Sequence, residues 1–156
     1  MRREQFTLDV TEVDRIDNGD APRMPCLRIA FDGEQSALRS RLTDAHGEPI
    51  DAATIDVTVR LQGDLEADGT DGVVAMTSRM TGDYLLEVQI DAADIITFTR
   101  AARRFGEHSE RPSRYLVRLI AGGEPVAEYE KRTLLVYSQN GDLLRHHSLI
   151  PSGVEI

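Results

Sequence analysis

Lysine is nearly missing from this chain. Of its 18 basic side chains only Lys131 is a lysine, and the 17 arginines stand against 27 Asp and Glu, for a net charge of −9. Cysteine is as scarce: Cys26 is alone, which excludes an intramolecular disulfide and the paired thiolates from which structural zinc sites are usually built. Tryptophan is absent and aromatic residues make up 5% of the chain, so burial falls to aliphatic side chains. No apolar run is long enough to span a bilayer, and the opening Met1-Arg2-Arg3-Glu4-Gln5-Phe6-Thr7-Leu8-Asp9 lacks the apolar stretch of a signal peptide. These absences lead to the expectation of a cytoplasmic protein with no membrane partner.

What is present is acid. Carboxylates hold water and cations at a surface, whereas lysine lays a long apolar stem across it, so an acid-rich, lysine-poor exterior suits concentrated salt. A GC-rich genome, favouring arginine codons, is the competing source of the same bias. The expectation drawn here is a halophile's protein. Its 156 residues suit a single β-rich domain over 1–156, able to bury roughly 70% of its unfolded surface without metals or crosslinks.

Alternation of apolar and polar residues, the signature of a half-buried strand, recurs along the chain. It runs through Phe6, Leu8 and Val10, then Leu27, Ile29 and Phe31, then Leu38, Ser40 and Leu42. Ile55, Val57, Val59 and Leu61 against Asp56, Thr58 and Arg60 give the clearest case. Val74 and Met76 precede the turn Thr81-Gly82-Asp83, and Tyr84, Leu86, Val88 and Ile90 follow it, which predicts a hairpin. The spacing then changes: Ile95, Phe98, Ala102 and Phe105 predict one amphipathic helix over 91–106, with Asp91 as its N-cap and Gly106 at its end. Strands are expected again at 115–120, over a long run 126–137, and over 143–150 after the tight turn Asn140-Gly141. Short strands joined by turns, without β-α alternation, predict a mainly β fold: an antiparallel β-sandwich with one helix. The alternative is an α+β roll with the helix packed on one sheet face.

Two resemblances go with this reading. Thr43-Asp44-Ala45-His46-Gly47-Glu48-Pro49-Ile50-Asp51-Ala52-Ala53, with an Asp, a Gly-x-Pro and a small residue ahead of a β-branched strand, resembles the turn of bacterial immunoglobulin-like domains, as does Gly82-Asp83-Tyr84-Leu85-Leu86. That likeness implies an immunoglobulin-like sandwich. Arg2-Arg3-x-x-Phe6-Thr7-Leu8-Asp9-Val10, Arg60-Leu61-Gln62-Gly63 and Leu143-Leu144-Arg145-His146-His147-Ser148-Leu149-Ile150-Pro151-Ser152-Gly153-Val154 look like a haloarchaeal family of small acidic proteins, a domain of unknown function. This second resemblance implies a salt-rich setting and supplies no site residues.

Catalytic constellations are missing. Ser152 lacks the Gly-x-Ser-x-Gly setting, Cys26 reads as a small buried residue, and no phosphate-binding Gly-rich loop precedes a helix. The acidic loop 64–72 has a calcium loop's composition without its twelfth-position glutamate, so it reads as solvated. His146 and His147 are the candidate metal ligands of a small metal-dependent enzyme or metal-binding protein. On a strand, however, neighbours point to opposite faces, so one metal needs one of them with His46, His108 or a carboxylate.

One stretch departs from the overall charge. Residues 100–118 hold six arginines and two glutamates, a net of +4. Arg100, Arg103, Arg104, Arg111 and Arg114 are therefore the candidate partner-binding residues, unless they pair with the chain's own carboxylates. Nucleic acid is the disfavoured ligand: neutralising about five phosphates costs roughly 4.5 powers of ten in affinity for each tenfold rise in salt. The expected function is thus a non-catalytic interaction or accessory module without a cofactor. It would work with a protein partner, or with a second copy paired through an open edge at 126–137.

Overall fold

The computed structural model describes residues 2–12, 23–110 and 114–151. Eight strands and two α-helices follow in chain order: β1 (Phe6–Thr11), β2 (Cys26–Phe31), α1 (Gln35–Arg41), β3 (Ile55–Leu61), β4 (Asp71–Ser78), β5 (Tyr84–Asp91), α2 (Ala92–His108), β6 (Tyr115–Ala121), β7 (Glu124–Lys131) and β8 (Leu135–Tyr137). They form two four-stranded sheets, ordered β1-β2-β6-β7 and β5-β4-β3-β8. The mainly β expectation holds at that level.

An all-antiparallel, immunoglobulin-like sandwich does not follow from these orders. β2 pairs parallel with β6, and β3 pairs parallel with β8. A parallel pair needs a crossover, and here each crossover runs through the other sheet, so side-chain alternation within a strand carries no trace of it. Inner-face residues of both sheets join one buried cluster, among them Leu27, Ile29, Val117 and Leu119 from the first sheet and Ile55, Val57, Val59 and Val136 from the second. α2 adds Ile95, Phe98 and Ala102 to the same cluster. Phe98 meets Tyr115 of β6 edge to face at 5.4 Å and 83°, a favoured aromatic geometry.

Four local expectations are corrected. Leu38, Ser40 and Leu42 form no strand: Leu38 lies in α1 and Leu42 caps it, both buried, while Ser40 is exposed. Leu38 and Leu42 stand four apart, which suits a helix face as well as a strand face. The run 126–137 is two strands, because the chain leaves the first sheet after Lys131 and enters the second at Leu135. β7 is an edge of its sheet, as expected of that run; β8 ends the other sheet, but its outer side is bridged by the segment 143–149. Asn140-Gly141 does turn the chain, with Gly141 at φ 87°, yet only isolated antiparallel bridges Tyr137–Leu143 and Leu134–Leu149 follow, separated by a 3-10 turn over Arg145–His147. Lastly, α2 runs past Gly106 to His108, and Asp91 occupies the N-cap position without a side-chain capping bond. Gly106 serves close packing instead: a Cβ there would stand 3.3 Å from Arg114 Nε.

Across the outer face of the first sheet runs a charged row. Asp9, Arg28, Arg118 and Glu128 are successive register partners on β1, β2, β6 and β7. Arg28 stands 4.0 Å from Asp9, and Arg118 donates to Glu128 at 2.8 Å. Each arginine thus has its own carboxylate beside it, a cross-strand arrangement that stabilises the pairing.

Candidate functional site

The arginines singled out above divide by what they touch. The outer face of α2 carries Arg100 and Arg104 exposed and Arg103 half-buried. Arg103 Nη2 donates to Ser148 O at 2.7 Å and to Arg145 O at 3.3 Å, which ties the helix to the segment after β8. Ser148 fixes that segment in turn. Its Oγ accepts from Val136 N–H at 2.9 Å and donates to Leu144 O at 2.8 Å. The 3-10 turn that results sets Arg145, His146 and His147 beside α2. Arg114 packs against Gly106 and lines, with Arg103 and Arg145, a cavity of about 340 Å³. Arg111 lies outside the described residues.

Carbonyl oxygens accept from Arg103 Nη2 without neutralising its charge. Arg3, Arg28, Arg79 and Arg118 each stand within ion-pair distance of a carboxylate, and among the described residues Arg100, Arg103, Arg104, Arg114 and Arg145 do not. The net positive stretch is therefore split. Arg118 belongs to the charged row on the first sheet, whereas Arg100, Arg103, Arg104 and Arg114 lie with Arg145 at a net cationic corner beyond β8, where Glu107 lines the same cavity. That corner acts on its neighbours: burial lowers the pKa of the His147 imidazole, and Arg103, His146 and Arg100 lower it further.

Both histidines line a groove of about 540 Å³, whose far wall includes Leu61, Asp64 and Leu65. They sit in a 3-10 turn and not on a strand, so the opposite-face argument does not apply to them. Yet no group of three or more His, Cys, Asp or Glu side chains comes together among the described residues. His108 is occupied elsewhere, its Nδ1 3.0 Å from Arg104 O. The acidic loop is closed on itself by Thr70 Oγ1, which donates to Asp64 O at 2.5 Å and Ala67 O at 3.0 Å. Cys26 is buried with its thiol pKa pushed up by that burial, which suits a packing residue and not a nucleophile. Ser152 lies outside the described residues.

The residue that sequence reasoning passed over is Lys131. Its side chain is buried, and Nζ donates to Ala52 O at 2.6 Å and Ile55 O at 2.5 Å. It pins the last residue of β7, in the first sheet, to the start of β3 in the second. The signal was the composition itself: the one position that keeps lysine is where a compact ammonium, and not a planar fork, sits between two carbonyls. Every basic side chain on the exterior is consequently arginine or histidine.

No helix among the described residues is long and apolar enough to cross a membrane. No curated protein matches the chain, and no solved structure matches it. A family described as of unknown function (DUF5793) matches residues 1–156 in full, and the chain belongs to that family.

Proposed function

We propose that this protein is a non-catalytic interaction module of a salt-rich cytosol that docks an acidic protein partner through Arg100, Arg104, Arg114 and Arg145. One observation carries the reading. In a chain with nine more acidic than basic side chains, several arginines lack a carboxylate within ion-pair distance among the described residues, and these are grouped: Arg103, Arg114 and Arg145 line one cavity, and Arg100 and Arg103 both act on His147. Such a cluster, in a fold with carboxylates to spare, is a surface kept for another molecule.

The salt setting rests on the exterior. Its only lysine is withdrawn into the interior, so the surface carries carboxylates with no ammonium among them. Net charge of this size keeps a protein soluble where salt has screened repulsion. A protein partner suits the corner better than nucleic acid. Bidentate arginine–carboxylate contacts and buried area persist at a Debye length of about 3 Å in 1 M salt, whereas phosphate binding by counterion release collapses.

The test is capture by immobilised protein in multi-molar potassium chloride, comparing the wild type with Arg100→Glu/Arg104→Glu and with an Arg60→Glu control. Loss of the same acidic protein in the corner variant alone supports the reading. Equal capture by all three, or captured material that nuclease removes, overturns it.

A further inference from the structure

Among the described residues the large apolar side chains left exposed are Met80 (79%) and Tyr84 (58%). They lie together, lining a groove of about 910 Å³ formed by α1, the turn before β3 and the β4–β5 turn. Ile50 adds an apolar wall, and Asp44, Asp51 and Asp83 line the same groove. Its one basic residue, Arg41, has its guanidinium turned onto backbone, with Nε donating to Leu85 O at 3.0 Å and Nη2 to Tyr84 O at 3.4 Å. The lining is thus mixed, with Ile50, Met80 and Tyr84 apolar among polar residues, and its charge is net negative. On a strongly charged surface, large apolar side chains exposed together in one groove mark an association site.

Its complement is on the same molecule, out of its own reach. Tyr84 begins β5, one edge of the second sheet, and Arg103 is bonded to the segment that follows β8, the other edge. The chain cannot fold one surface onto the other.

We infer that the groove takes the arginine corner of a second copy of this chain. The inference rests on the docking role proposed for that corner and names its partner. Aspartates of the groove meet Arg100 and Arg104 of the next copy, and arginine stems lie over Met80 and the Tyr84 ring. The contact is heterologous: each copy offers one groove and one corner, so association continues head to tail instead of closing as a symmetric pair. Apolar burial with short arginine–carboxylate contacts is the combination that survives strong salt.

Analytical ultracentrifugation in multi-molar potassium chloride tests it with two one-sided variants, Met80→Glu for the groove and Arg100→Glu/Arg104→Glu for the corner. Tyr84→Glu serves as a second groove variant, and circular dichroism checks that each is folded. The wild type is expected to grow past the dimer mass with concentration, and each variant alone to stay monomeric. An equimolar mixture of a groove variant and the corner variant should stop at a dimer, since one intact groove and one intact corner remain. A wild type that stays monomeric at all concentrations overturns the inference. So does a mixture without dimer, or a corner variant that associates like the wild type. If the wild type is monomeric while the corner variant still loses its captured protein and Met80→Glu keeps it, self-association falls and the docking role of the corner stands.

Discussion

Replacing Lys131 by methionine keeps the apolar stem and removes the ammonium that joins the two sheets. Ala52 O then loses one of two donors, keeping the Ile55 N–H, and Ile55 O loses the ammonium. Ile55 is fully buried, so its carbonyl bears the larger loss; leaving a buried acceptor unsatisfied costs about 1–3 kcal/mol. Relief from burying an ammonium offsets part of the total, and the expected net destabilisation is about 2 kcal/mol. For a chain of 156 residues that corresponds to a Tm lower by about 4–8 °C, read by circular dichroism melting in multi-molar potassium chloride. Lys131→Arg is expected to lose stability as well, because the bulkier guanidinium brings five N–H donors into a buried site where two carbonyls accept. Burial pushes the Lys131 pKa below the ordinary lysine value of 10.5; Asp56 pulls it back, Arg79 pushes it further down and Asp51 opposes. The folded state therefore releases this proton at a lower pH than the unfolded chain does. Stability linked to Lys131 should rise as pH climbs from the lowered folded value toward 10.5, and Lys131→Met should lack that rise. A methionine variant melting within about 1 °C of the wild type, with an unchanged alkaline profile, would refute the staple.

Two further predictions concern the cationic corner. Arg103→Ala should cost about 1–2 kcal/mol by releasing the carbonyls of Ser148 and Arg145; chemical denaturation measures the loss, and faster amide exchange at Val136 and Leu149 would locate it. His147 has a pKa below its ordinary 6.5 in the folded state, so the unfolded chain binds its proton first as pH falls. Stability should therefore be lost as pH drops through 6.5 toward the lowered value, and His147→Gln should show a shallower acid limb in a denaturation-midpoint series.

How much of this was legible in the sequence depends on the range of each signal. β3 could be read outright, because Ile55, Val57, Val59 and Leu61 are buried on one side while Arg60 is exposed on the other. α2 was equally plain from Ile95, Phe98, Ala102 and Phe105, all buried. The parallel pairings β2–β6 and β3–β8 were not, since residues so far apart in the chain leave no periodicity. The switch between sheets at 132–134 did leave a local trace: Glu130, Lys131, Arg132 and Thr133 interrupt the apolar positions, and the buried parity changes from Tyr129 and Lys131 to Leu134 and Val136. Of the candidate site, the arginine excess at 100–118 was visible. Its division was not, because only the register partner Glu128 removes Arg118 from the corner.

The account rests on an exterior tuned to salt, on which an exposed cationic corner can act without the chain collapsing onto it. Its most direct test is the denaturation midpoint measured from dilute buffer to multi-molar potassium chloride. The account predicts a protein unfolded or marginal in dilute buffer, where carboxylate repulsion is unscreened, with the midpoint rising steadily as salt is added. A midpoint that is high in dilute buffer and flat across the series would contradict it.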